Sequence, residues 1–305
     1  MGDHARIVQF GAHLPLIDLD GSWNGGTPNL AAYARTARDA GFTHLCANDH
    51  LVFSRPWLDG IVALSSVAGD SGSMTLMTTV ALPVVRGAAA MAKALAALDL
   101  VSGGRVVSGL GPGSSARDYA LVGLNFEQRW PLFERSVRDV RSYLRGGAPE
   151  GAEPLLPLPA NSTLPLWIGS WGSEAGLRRV ARLADGWLAS AYNTNPATFA
   201  EAQRTLSSML TAASRQPLPN ALGTMWMYIT EDPAEARVKL EMLATMLRRP
   251  AETLKPLLLI GAAEHCAAVV RAYEEAGVER LFVWPLADEP RQLELFMKKV
   301  ALHGA

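Results

Sequence analysis

Cysteine is almost missing: Cys46 and Cys266 are the only two among 305 residues. Two thiols are too few for a disulfide scaffold, a zinc site or a CxxC redox pair. An excess of one charge is missing too. Lys and Arg total 28 against 29 Asp and Glu, a formal net charge of -1 with no block of like sign. That balance removes the electrostatic footprint of a protein that binds nucleic acid or an anionic membrane surface. No apolar run reaches the ~20 residues that span a bilayer. The nearest, over 88–100, is broken by Lys93 and Asp99. Residues 1–6 lack the basic-then-apolar form of a signal peptide, so a cytoplasmic location with reduced thiols is expected. The six histidines show no H-x-H or H-E-x-x-H spacing; His50 has one adjacent carboxylate and His13 stands alone. No metal centre is expected from so few ligands.

What is present is apolar sequence in alternating blocks. Hydrophobic residues make up 49% and charged residues 19%, enough to bury a large core. Length alone predicts two domains of about 150 residues. The pattern predicts otherwise. Strand-like runs fall at 7–13, 43–48, 74–82, 105–110, 166–169, 186–191, 222–229 and 280–284, with helical patterns between them. A Gly-rich turn (Gly21, Gly25, Gly26) precedes Thr27-Pro28, where Thr27 is the expected helix cap, and Gly41 is expected to close that helix. Residues 146–164 are rich in Pro and Gly and read as a surface loop. A short helical insertion is expected at 251–259, before the last strand, and 292–302 reads as a closing helix. Eight βα units predict an α/β fold, a closed (β/α)8 TIM barrel, that absorbs 1–305 as one domain.

In such a barrel the chemistry gathers at the C-terminal ends of the strands. Those ends carry His13, the pair Asp49-His50, the run Thr79-Val80-Ala81, the turn Gly111-Pro112-Gly113-Ser114, and Gly169-Ser170-Trp171-Gly172-Ser173. Gly109 to Gly113 is G-x-G-x-G after the fourth strand, which fails as a dinucleotide fingerprint. It reads either as a tight strand-to-helix turn or as a close backbone approach to a planar ligand or phosphate. Gly172-Ser173 opens a helix, whose N-terminus either receives a phosphate or is merely capped by Ser173; Glu174 in its first turn counts against an anion.

Together these pieces resemble the luciferase-like monooxygenase superfamily of flavin- and deazaflavin-dependent oxidoreductases, over nearly the whole chain. The most specific stretch runs from Ala94-Leu95-Ala96-Ala97-Leu98-Asp99-Leu100-Val101-Ser102-Gly103-Gly104-Arg105 into Gly109-Leu110-Gly111-Pro112-Gly113. Leu121 to Arg129, Pro165 to Gly169 with Leu177 to Leu188, and Glu274 to Val278 follow in the family's order. The resemblance implies a ring bound across the barrel mouth, backed by a bulge at Thr79-Val80 and Ala81 that often holds a non-prolyl cis peptide. It implies that Gly111 to Ser114 contact the ring or its ribityl chain, and that Gly169 to Ser173 hold the phosphate. Asp49-His50 resembles the branch that uses coenzyme F420. There the imidazole serves as acid/base or charge stabiliser during hydride transfer, as its ordinary pKa of ~6.5 suits, and the adjacent carboxylate would fix its tautomer.

Departures from the family pattern are Ser114, where some deazaflavin dehydrogenases have a catalytic glutamate, Arg117 in place of a cofactor-contacting asparagine, and Trp171 where glycine is common. The expected activity is F420-dependent hydride transfer to or from a small organic substrate, in a homodimer. Two alternatives stand beside it: an FMN- and O2-dependent monooxygenase, and a flavin-binding protein without catalysis. Trp23, Trp57 and Trp284 are expected to wall the substrate pocket, though each is equally suited to packing.

Overall fold

A computed structural model describes residues 8–301 apart from 22, 24 and 25. Ile7, Gly25 and Leu302, assigned above to a strand, a turn and a helix, lie outside the described residues. The strands are β1 (Gln9–His13), β2 (His44–Ala47), β3 (Thr75–Ala81), β4 (Val106–Leu110), β5 (Leu166–Gly169), β6 (Gly186–Ser190), β7 (Asn220–Ile229), β8 (Leu259–Gly261) and β9 (Arg280–Pro285). Every pairing between these strands is parallel, and β1 to β7 followed by β9 close on themselves through β9–β1 contacts such as Phe10 with Leu281. The result is the eight-stranded parallel barrel with surrounding helices that the alternation predicts.

The helices are α1 (Leu30–Asp39), α2 (Gly60–Ser66), α3 (Pro83–Arg86), α4 (Ala88–Ser102), α5 (Ala116–Leu121), α6 (Arg129–Leu144), α7 (Glu174–Leu183), α8 (Pro196–Ala212), α9 (Pro233–Leu247), α10 (Ala251–Leu254), α11 (Ala263–Glu275) and α12 (Glu289–Lys299). Among the described residues, no helix is long and apolar enough to cross a membrane.

Three local expectations change. The cap of α1 is Asn29, whose side chain accepts from Ala32 N at 3.0 Å, and not Thr27 two residues earlier. Asn and Thr both supply the acceptor, so composition alone does not choose between them. Gly41 does close α1, with φ +94°. The insertion expected as helix over 251–259 is one helical turn, α10, followed by a strand outside the eight expected ones, β8. β8 pairs with the outer end of β7, Met227 with Leu259 and Ile229 with Gly261. β7 runs ten residues, pairing with β6 at its start and β8 at its end, and its register against β9 shifts between Leu222 and Met225, where Thr224 adopts φ +54° and bonds Ser190 Oγ at 2.8 Å.

Cys46, Met77, Trp167, Leu188, Ala221 and Phe282 form a cluster of their own on the strands. A much larger apolar cluster gathers residues of the strands and of the helices that surround them. The strand side chains share narrow space, and Gly109 shows how narrow: a Cβ there would sit 2.3 Å from the Thr78 carbonyl oxygen on β3. A backbone carbonyl in a paired strand has nowhere to go. Gly109→Ala is therefore expected to destabilise the fold by about 1–3 kcal/mol through overpacking, seen as a lower urea midpoint with an unchanged slope.

Candidate active site

The pairing registers bring the C-terminal ends of β1 to β5 to one mouth, and the residues expected there from sequence are found there. The Thr79–Val80 peptide is cis, and the β3–β4 register shifts at that point, with Thr79 opposite Gly109 and Ala81 opposite Leu110. The bulge turns Val80 toward the next two strand ends. A Cβ on Gly111 would lie 2.6 Å from Val80 Cγ2, and one on Gly169 2.9 Å from Val80 Cγ1. Glycine at both positions is what admits the Val80 side chain, which links three of the expected contact regions into one seat. Thr79 Oγ1 is buried beside it with no hydrogen-bond partner among the described residues.

The turn after β4 is held from behind. Tyr119 donates to the Pro112 carbonyl at 2.5 Å, Gly113 has φ +82°, and Ser115 caps α5. Ser114 and Arg117 are exposed. After β5, Ser170 is buried and its Oγ accepts from Gly172 N at 3.3 Å, while Ser173 caps α7 by accepting from Gly176 N at 3.3 Å. A side chain on Gly176 would lie 2.3 Å from Ser170 Oγ and 3.1 Å from Ser173 Oγ, so its absence lets both hydroxyls crowd the start of this ten-residue helix. Trp171 is 59% exposed, and Glu174 is turned back onto Arg178 in an ion pair.

Asp49 and His50 are neighbours in sequence but point to different partners. The expected role of Asp49 in fixing the imidazole is not what is found. Both Asp49 oxygens are bound by Arg86, at 2.6 Å each, and Oδ2 also accepts from Leu82 N at 3.2 Å. Arg86 also pairs with Asp59 at 2.7 Å. Asp49 thus ties the β2 loop to the segment leaving β3. The carboxylate that holds His50 is Asp118 on α5: His50 Nδ1 lies 2.8 Å from Asp118 Oδ2, and Asp118 Oδ1 accepts from Leu51 N at 3.1 Å and Val52 N at 2.7 Å. Burial pushes the Asp118 carboxyl up, but His50 and these two N–H groups outweigh it and hold its pKa below the ordinary 3.8. As an anion, Asp118 accepts a hydrogen bond from His50 Nδ1 and leaves Nε2 as the ring nitrogen open to other contacts.

Aromatic rings crowd this imidazole. Phe53 and Trp57 lie 5.3 Å and 4.8 Å from His50, Trp57 meets Trp284 edge-on at 6.0 Å, and Trp284 stacks on Trp226 at 4.0 Å. Trp57 and Trp284 are thus in ring contact, and the Trp23 carbonyl accepts from Gly26 N at 2.9 Å. His13 stacks on Trp284 at 3.5 Å, and its Nδ1 bonds the Leu14 carbonyl at 2.8 Å. Burial pushes its pKa down to about 3, offset only in part by Leu14 and the Asn48 side chain, so His13 is neutral at pH 7. Among the described residues, no group of three or more His, Cys, Asp or Glu is arranged to hold a metal ion.

Sequence reasoning does not single out Asp118, Arg86 or Trp226. Ser115-x-x-Asp118 has the form of a helix-start box and marks Asp118 as a first-turn residue at the mouth. It gives no hint of a partner 68 residues away.

The profile of the luciferase-like monooxygenase family matches residues 20–248. The chain belongs to this family. It is 27% identical over 194 residues to a 5,10-methylenetetrahydromethanopterin reductase from Methanolobus tindarius, covering 62% of this chain and 57% of the relative. It is 27% identical over 232 residues to an F420-dependent hydroxymycolic acid dehydrogenase from Mycobacterium tuberculosis, covering 69% of this chain and 62% of that one. The matches thus span less than two thirds of either relative's length. Among solved structures, an F420-dependent secondary alcohol dehydrogenase in complex with an F420-acetone adduct has a TM-score of 0.81 at 15% identity, covering 96% of this chain and 98% of that one. At that identity the likeness is one of fold.

The Asp118 geometry carries a pH signature. A carboxyl with a lowered native pKa stabilises the fold fully above its unfolded value, near 3.8, and loses that contribution as pH falls through the native value. Asp118→Asn is expected to cost about 1–3 kcal/mol at pH 7 through the buried donors left poorly paired. In urea unfolding the gap to the parent protein should close as pH falls below 3.8 and through the native value. A gap independent of pH would mean that the carboxylate charge does not matter.

Proposed function

We propose that this chain is an F420-dependent oxidoreductase that transfers hydride to or from a small organic substrate, acting as one domain over 1–305 in a homodimer. The observation that carries the reading is the mouth itself: a seat made by Val80 between Gly111 and Gly169, at the same end of the barrel as an imidazole fixed by a carboxylate. Family membership and the F420 dependence of the mycobacterial relative support it.

The residues present fit a deazaflavin. Val80 supplies an apolar back for a planar ring, and the two glycines keep side chains away from it. Buried Thr79 Oγ1 and Trp57 Nε1 lack partners among the described residues, as groups awaiting a polar ligand do. Ser170, Gly172 and Ser173 at the start of α7 would take the phosphate, through N–H groups and the positive end of the helix dipole. When bound, the deazaflavin supplies two-electron hydride chemistry. His50 then moves the accompanying proton at Nε2, because Nδ1 is committed to Asp118. Ser114 offers no carboxylate, so His50 carries that role without the acid some relatives have. Phe53, Trp57 and Trp284 exclude water and favour a substrate with an apolar body.

Titrating the purified protein with F420 and with FMN, read by cofactor fluorescence, tests this. Saturable F420 binding is expected, with the mass of the same sample in solution equal to two chains. His50→Ala should keep that binding and lower turnover of any accepted substrate by about 10²–10⁴-fold. FMN binding without F420 binding would overturn the cofactor assignment in favour of the monooxygenase reading. Turnover unchanged in His50→Ala would remove the proton role.

A further inference from the structure

The opposite face of the barrel carries a second feature that the proposed chemistry does not use. A groove of about 490 Å³ runs between the C-terminal half of α6, the end of α7 and the turn into β6. Val137, Leu183 and Asp185 contribute to its lining, but its character is set by Arg138, Arg141, Arg145, Arg182 and Arg215. Five guanidiniums against one lining carboxylate is a local excess in a chain whose overall formal charge is -1.

Two of the five are fixed. Arg141 donates to Asp185 Oδ2 at 2.8 Å and to the Leu183 carbonyl at 2.7 Å; Arg215 donates to the Ala181 carbonyl and, at 2.8 Å, to the Ala184 carbonyl. These carbonyls cluster at the negative end of α7, which accounts for that pair. It does not account for the others. Glu134 is the one carboxylate shared by Arg182 at 2.5 Å, Arg179 at 3.1 Å and Arg138 at a loose 3.5 Å. Arg138 is 57% exposed, and Arg145 has no hydrogen-bond or ion-pair partner for its guanidinium among the described residues. Arg138, Arg141 and Arg145 recur at helical spacing along α6 and the residue that follows it, with the exposed Ser142 hydroxyl among them.

We propose that this groove is a binding site for a small phosphate-bearing anion with at least two anionic groups, separate from the active site. Guanidinium forks match phosphate oxygens in pairs, and the groove is of the size that holds small ligands. Arg141 and Arg215, pinned by backbone carbonyls, keep their remaining N–H groups in place. Arg138 and Arg145 close on the ligand from the solvent side. A single carboxylate ligand would leave most of the excess charge unmatched.

Inorganic tripolyphosphate is a suitable probe, titrated calorimetrically into the full chain at fixed ionic strength. The start of α7 can take phosphate as well, so the decisive comparison is with the double variant Arg138→Gln/Arg145→Gln. Loss of one binding site, or weakening of it by at least tenfold, is expected in the double variant. Arg35→Gln, on the far helix α1, should leave the titration unchanged. F420 binding by the double variant should equal that of the parent, so failure here and failure of the cofactor assignment are told apart. An identical titration curve for parent and double variant, or no saturable heat in the parent, would overturn the proposal. If the double variant does not fold, Arg145→Gln alone, which disturbs no bond of the fold, takes its place in the same comparison with the same two outcomes.

Discussion

The candidate active site depends on one buried carboxylate. Asp118 receives His50 Nδ1 and two consecutive loop N–H groups, so a single side chain on α5 fixes both the imidazole and the backbone that carries it. The other ties of the β2 loop, such as Asp49 to Arg86 and the Asp18 N–H to the Pro56 carbonyl, hold its backbone but do not touch the ring. Ionic hydrogen bonds of this kind are stronger than neutral ones and gain further in a partly dry setting. The aromatic rings of Phe53 and Trp57 provide that setting.

Two kinds of residue do two different jobs in this barrel. The polar residues of the family signatures at Asp99, Arg105 and Asp185 work at the floor. Asp99 accepts from Val106 N and Asn161 N, Arg105 donates to the Ala68 and Ser102 carbonyls, and Asp185 binds Arg141 and Leu166 N. These groups close the N-terminal side of the strands, where polar side chains serve stability rather than chemistry. The mouth is built from less distinctive material: glycines, a valine, two serines and one histidine. A strong family resemblance and a loosely defined substrate are therefore compatible.

The barrel is legible in the sequence because its signal is periodic and repeated. Each strand is a short apolar run, each helix has a face, and eight repeats leave few alternatives. The bulge at Thr79-Val80 is legible through the resemblance, whereas the packing of Val80 against Gly111 and Gly169 is not. Side-chain pairing across the fold is not. Nothing near Asp49-His50 in the sequence says that one turns to Arg86 and the other to Asp118, since adjacent residues leave a strand end in different directions. The three-residue strand β8 escapes for a simpler reason: a run of Leu259, Ile260 and Gly261 is too short to show a period. The cap of α1 lies two residues beyond the expected one because Thr27 and Asn29 offer the same acceptor chemistry.

Asp118 sets the tautomer of His50, and nitrogen-15 NMR of the histidine side chains reads this directly. With Asp118 as acceptor, neutral His50 carries its proton on Nδ1, and Nε2 gives the signal of an unprotonated ring nitrogen. A neutral His50 protonated on Nε2 would contradict this, because the nitrogen assigned to proton movement would then be a donor and the bond to Asp118 would be absent.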